Sequence, residues 1–138
     1  MKKNSLLLCL LMLVSSLLQA QVKDYKVVFD LTSKDTATHR TVLRWINGIS
    51  QATPDAQLEV VFYGQSLGMV TKGKSAAEED VKKILANKNV SFKVCAIAMQ
   101  RHNIEKNDLI DGVEIVPDGI YEIVMLQGQG WGYIKVGQ

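Results

Sequence analysis

Five short apolar runs, separated by stretches of helical periodicity, constrain this chain more than any other feature. "YKVVFDL" (Tyr25 to Leu31) and "QLEVVFYG" (Gln57 to Gly64) are compact, β-branched and aromatic, and "VSFKVCA", "DGVEIV" and "WGYIKV" repeat the type further on. Between the first two, Val42, Trp45, Ile46 and Ile49 recur at i, i+3, i+4 and i+7, the stripe of an amphipathic helix from about Thr36 to Gln51. Pro54 ends it, because helix is disfavoured at the residue before proline. Further on, "SAAE" offers Ser75 as N-cap and Glu78 as its capping-box partner, ahead of a helix with Ala77, Val81, Ile84 and Leu85 on its apolar face. "AMQRHN" is a short helical piece, and Pro117 and Asp118 open a last helix through Ile120, Ile123 and Val124, with Asp118 as N-cap. Strands alternating with helices imply a parallel sheet covered on both faces and joined by right-handed crossovers. The predicted class is α/β, a three-layer α/β/α sandwich with a mostly parallel sheet of about five strands. Strand order does not follow from the pattern.

A length of 138 residues suits one domain with a real core. The first twenty residues read as a signal peptide: Lys2 and Lys3, then an apolar run from Leu6 to Leu18, then the small Ala20, with no acid among them. That run is shorter than the roughly 20 residues a membrane-spanning helix needs, so cleavage after Ala20 is expected rather than stable membrane insertion. The domain then occupies 21–138 and the protein is exported, to the periplasm by expectation. Of 16 basic residues, cleavage removes Lys2 and Lys3, leaving 14 against 14 acids. A near-neutral chain has no electrostatic footprint for nucleic acid. Cleavage also removes Cys9, so Cys95 becomes a lone thiol that cannot form an intramolecular disulfide.

In open parallel sheets, chemistry collects outside the carboxyl ends of the strands. Those ends are Asp30 to Ser33, Tyr63 to Ser66, Cys95, and Val116 to Asp118. If a helix begins at about Ala96, its free amides and positive dipole end face the Cys95 sulfur, the setting that stabilises a thiolate nucleophile. The competing reading is packing, since free cysteine is among the most buried residue types. His102, seven residues on, would share a face of a continuous helix and is the candidate for proton transfer to the sulfur, with a solvated surface histidine as the alternative. His39, near the start of the first helix, lies on the same rim and has the same claim. Two histidines and one cysteine without ligand spacing make no metal site, and no cofactor is expected. The glycines of "GQSLGMVTKGK" lack phosphate-loop spacing, so the segment reads as an irregular rim loop. Trp131 and Tyr133 read as core packing, with an interface as the alternative.

"FKVCAIAMQRHNI", then "DLIDGVEIVPDGIYEIVMLQGQGWGYIKV", preceded by "VVFYG", resembles the DsrE/DsrF/YchN-like family over nearly the whole of Tyr25 to Val136. The resemblance implies a three-layer α/β domain assembling into homotrimers or homohexamers. It also implies a sulfur-relay chemistry in which a cysteine carries a persulfide, taken from a sulfane-sulfur donor and passed to a thiol acceptor. Cys95 matches the sulfur-carrying position. Two readings stand beside this one: a non-catalytic oligomeric binding or assembly module in which Cys95 is packed, and a thiol redox sensor.

Overall fold

The computed structural model describes residues 24–137, so the signal peptide expected over 1–20 lies outside the described residues. Five strands form one sheet: β1 (Lys26–Leu31), β2 (Gln57–Phe62), β3 (Val90–Cys95), β4 (Glu114–Val116) and β5 (Gly132–Val136). Their order is β4-β3-β2-β1-β5, and every pairing is parallel. The helices are α1 (Thr36–Ala52), α2 (Glu78–Leu85), α3 (Ala96–His102) and α4 (Gly119–Gly128). The α/β sandwich is therefore the architecture, and it is unequally layered.

From β1 to β4 the chain steps one way across the sheet, so right-handed crossovers carry α1, α2 and α3 along one face. After β4 it must return past three strands to reach the far side of β1, and the same handedness puts α4 on the other face. Packing agrees with this division. Phe29, Leu31, Leu58, Val60, Phe62 and Phe92 form the large core with Val42, Ile46, Val81, Ala98 and Met99 from the first three helices. Val28 and Val61 form a smaller cluster with Ile123 and Leu126 of α4, with Tyr63 and Trp131 packed at its border. Phe62 and Phe92 lie tilted with ring centroids 5.2 Å apart, a favourable aromatic geometry inside the larger core.

Helix α1 runs within a residue of expectation, but its buried face is His39, Val42, Leu43 and Ile46. Trp45 stands at the edge of that face, 37% exposed, with its ring against Phe29. Asp35 caps α1 by accepting from the amides of Ala37 and Thr38. The expected start of α2 is corrected. Ser75 Oγ accepts from Ala77 N and Glu78 Oε2 reaches back to Gly73 N, so the two side chains close the preceding turn and helix begins only at Glu78. The rim loop after β2 is less irregular than its glycines suggest. It contains a 3₁₀ turn, Ser66–Val70, whose Leu67, Met69 and Val70 are buried, and Ser66 Oγ donates to the carbonyls of Leu31 and Tyr63. Only three residues of the fourth apolar run pair as strand. No helix among the described residues is long and apolar enough to cross a membrane.

Candidate functional site

Where neighbouring strands send their following helices to opposite faces of a sheet, the loops part and leave a crevice, the usual ligand position in open α/β folds. Here that happens between β3, which leads into α3 on the large-core face, and β4, which leads into α4 on the other. Cys95 is the last residue of β3 and the N-cap of α3, paired in register with Val116. It is 6% exposed and opens onto a pocket of about 370 Å³ lined by Tyr63, Gly64, Ile97, Ala98, Arg101, Asp118 and Ile120. The walls are mostly apolar; Arg101 supplies a cation and Asp118 a carboxylate.

Gly119 makes this closeness feasible. A Cβ built on it would lie 3.0 Å from Val61 Cγ1, 3.2 Å from Cys95 Cβ and 3.7 Å from Tyr63 Cβ, so the first turn of α4 lies directly against the cysteine and Tyr63. Asp118 Oδ1 accepts from Ile120 N and Tyr121 N, which anchors that turn as the sequence suggested.

His102 is the last residue of α3, about 10 Å along the helix axis from Cys95 at 1.5 Å per residue. Its Nε2 donates to the Gly64 carbonyl at 2.6 Å. This contact ties the end of α3 to the loop that forms one pocket wall, a positioning geometry rather than one for exchanging a proton with the sulfur. Asn103, in the left-handed region at φ 51°, stops α3 there. His39 is buried, with Nε2 donating to the Ser33 carbonyl at 2.8 Å, which makes it a brace for the β1 to α1 turn.

The sequence model of the DsrE/DsrF-like family matches residues 26–136. The chain belongs to that family. Among solved structures, a protein of unknown function from Methanobacterium thermoautotrophicum, MTH1491, is 26% identical with a TM-score of 0.76, covering 81% of this chain and 99% of its own. The YchN protein of E. coli is 17% identical with a TM-score of 0.67, covering 81% and 98%. BT1422 of Bacteroides thetaiotaomicron, a conserved protein of unknown function, is 11% identical with a TM-score of 0.67, covering 80% and 94%. At those last two identities the likeness is one of fold. No curated protein matches the chain.

Beside the crevice, this DsrE/DsrF-like domain carries a polar network that sequence reasoning did not assemble. Asp30, 5% exposed, accepts from Tyr133 at 2.6 Å and from Lys135 Nζ at 2.9 Å. Lys135 also donates to Thr32 and lies 5.5 Å from the centre of the Tyr63 ring. Its hydrogen bond to Asp30, and then burial, push the Tyr133 phenol up to about 12. Burial first, then the Asp30 carboxylate, hold the Tyr63 phenol well above the ordinary tyrosine value. Tyr63 thus stays neutral while forming the wall between the network and Cys95. Asp30 and Tyr63 were legible as strand ends. Tyr133 read as core packing but is 43% exposed, and Ile120 read only as part of a helix face; Arg101 and Lys135 carried no local signal, because what they approach is fixed by strand order. Among the described residues, no group of three His, Cys, Asp or Glu side chains is placed to hold a metal ion.

Proposed function

We propose that this protein is an exported sulfur carrier that holds a persulfide on Cys95. The observation that carries the reading is that the lone thiol of the domain opens onto the crevice where α3 and α4 part company. In the first half of the cycle, the Cys95 thiolate attacks the outer sulfur of a sulfane donor. A new S–S bond forms, the donor's own S–S bond breaks, and the donor leaves as a thiolate. In the second half, an acceptor thiolate attacks the outer sulfur, forms its own persulfide and releases Cys95 as the thiolate. Sulfur oxidation states balance over the two exchanges, so neither half needs an external oxidant. Ile97, Ala98 and Ile120 give the pocket apolar walls, and Arg101 supplies a positive charge for anionic sulfur compounds. Export rests on the pattern of residues 1–20.

The carrier is further proposed to assemble with copies of itself. Ile120, Tyr121, Val124 and Met125 are 59%, 65%, 60% and 39% exposed on α4, an outward apolar surface of the kind that marks an interface. The second reading, an assembly module with Cys95 as packing, is favoured by one observation: the thiol is also part of the large buried cluster.

The two readings separate in one experiment. Native protein and Cys95→Ser are treated with polysulfide, and intact masses are recorded before and after a small thiol. A carrier gains sulfur only when Cys95 is present and loses it to the thiol. No adduct, together with no alkylation of the native protein, would leave Cys95 as a core residue and the assembly module as the function.

A further inference from the structure

Helix α4 covers a carboxylate that has no obvious reason to be buried. Glu59, in the middle of β2, is 5% exposed on the α4 face of the sheet, beside Val61 and opposite Val28. Its Oε2 accepts from Ser91 Oγ at 2.9 Å, whereas its Oε1 is buried without a hydrogen-bond partner. An ionised carboxylate oxygen left like this is costly, and the cost falls if the oxygen carries a proton it can donate. On α4, the half-buried Glu122 lies three residues after Gly119 and four before Leu126, on the side of the helix that meets the sheet, and its carboxylate acts on Glu59. From β3 come Ser91 and Lys93, but Lys93 is committed to Glu114 on β4. From β1 the neighbour is the apolar Val28; Lys26 and Asp30 lie one pleat to either side of it, and Asp30 is already satisfied by Tyr133 and Lys135.

We propose that a proton on Glu59, shared with Glu122 across the helix–sheet interface, latches α4 to the sheet, and that the latch releases as pH rises through neutrality. Protonated, Glu59 accepts from Ser91 on one oxygen and donates to Glu122 from the other. Deprotonated, two like charges face each other beneath the helix that carries the smaller core, and the proton has gone to solvent. Because α4 begins at Gly119 against Cys95, its loosening also opens one wall of the thiol pocket. The electrostatics agree. Burial first, with the charge of Glu122 adding to it and Ser91 and Lys93 opposing, pushes the Glu59 carboxyl up to about 7. A carboxyl raised in the folded state contributes stability that is fully present below its unfolded value and lost as pH rises through the folded one. The sensitive window is thus from ordinary glutamate values up to neutrality, the reverse of a salt-bridged carboxylate. This device does not depend on sulfur carriage.

The test compares wild type, Glu59→Gln and Glu122→Gln by thermal unfolding, and by hydrogen exchange of residues 119–128, between about pH 5 and pH 8.5. Wild type is expected to lose roughly 5 °C or more across that range and to exchange faster in α4 relative to α1 at the alkaline end. Glu59→Gln mimics the protonated group, accepting from Ser91 and donating to Glu122, so it should remove most of that slope and melt above wild type at pH 8.5. Glu122→Gln should move the midpoint of the slope to lower pH. Equal slopes in wild type and Glu59→Gln would overturn the proposal. If Glu59→Gln does not fold, carbon NMR of the wild-type Glu59 carboxyl decides instead: titration at ordinary glutamate values overturns the latch, and titration near neutrality supports it.

Discussion

A methyl group added at Gly119 would lie 3.0 Å from Val61 and 3.2 Å from Cys95, both buried on strands. One added at Gly48, in the exposed part of α1, would meet nothing within 4 Å. The same substitution should therefore have opposite signs. Gly119→Ala is expected to destabilise by about 1 to 2 kcal/mol through overpacking, and to change the alkylation rate of Cys95 by shifting its Cβ. Gly48→Ala is expected to stabilise by about 0.5 to 1 kcal/mol through helix propensity, leaving that rate alone. Urea titration with timed alkylation of each variant checks both. At this scale the strand-end position of Cys95 was legible, because the change from apolar alternation to helical polarity is local. The crowding at Gly119 was not, since α4 reaches the cysteine only by crossing back over the sheet. His102 shows the same limit: helical spacing put it on one face with Cys95, whereas a carbonyl 38 positions earlier in the chain took its ring.

At the scale of elements, α4 does the most with the least support. It rests on the sheet through Ile123 and Leu126, and its first turn is fixed by Asp118 accepting from two amides. Asp118→Ala is expected to cost about 1 kcal/mol, visible as a lower urea midpoint, with faster hydrogen exchange concentrated at the start of α4. Asp118→Asn keeps an acceptor and should restore most of the loss. The cap at Asp118 was readable because proline followed by a short acidic residue marks a helix start without reference to the rest of the fold. Ser75 and Glu78 carried an equally good local signal, yet the structure spends it on a turn. Glu78 reaches Gly73, while Lys82 holds its other oxygen. Side-chain spacing alone does not distinguish the two uses.

For the whole molecule, the outward side of α4 carries the prediction. Wild type is expected to sediment as an oligomer, and Val124→Glu, which puts a charge in the middle of the apolar surface, should sediment as a folded monomer with an unchanged far-ultraviolet dichroism spectrum. Monomeric wild type at micromolar concentration would remove the assembly proposal and leave Tyr121 and Val124 unexplained. The sequence pattern gave α4 its apolar positions Ile120, Ile123 and Val124, but the structure buries Ile123 and leaves Ile120 and Val124 outside. Helical and strand periods, turn chemistry and the position of one cysteine are properties of neighbours along the chain, so the sequence by itself determined the α/β class, the family likeness and the thiol at a strand end. Strand order is a property of neighbours in space. The tertiary structure alone decided that β5 returns beside β1, bringing Lys135 to Asp30 across 105 residues, and that Cys95 stands where the helices part. It alone decided, too, that Glu59 lies buried under a single helix, with one carboxylate oxygen unpartnered. The physical reason is that parallel pairing needs long crossovers, and the apolar runs that pair are too alike to specify which of them lie side by side.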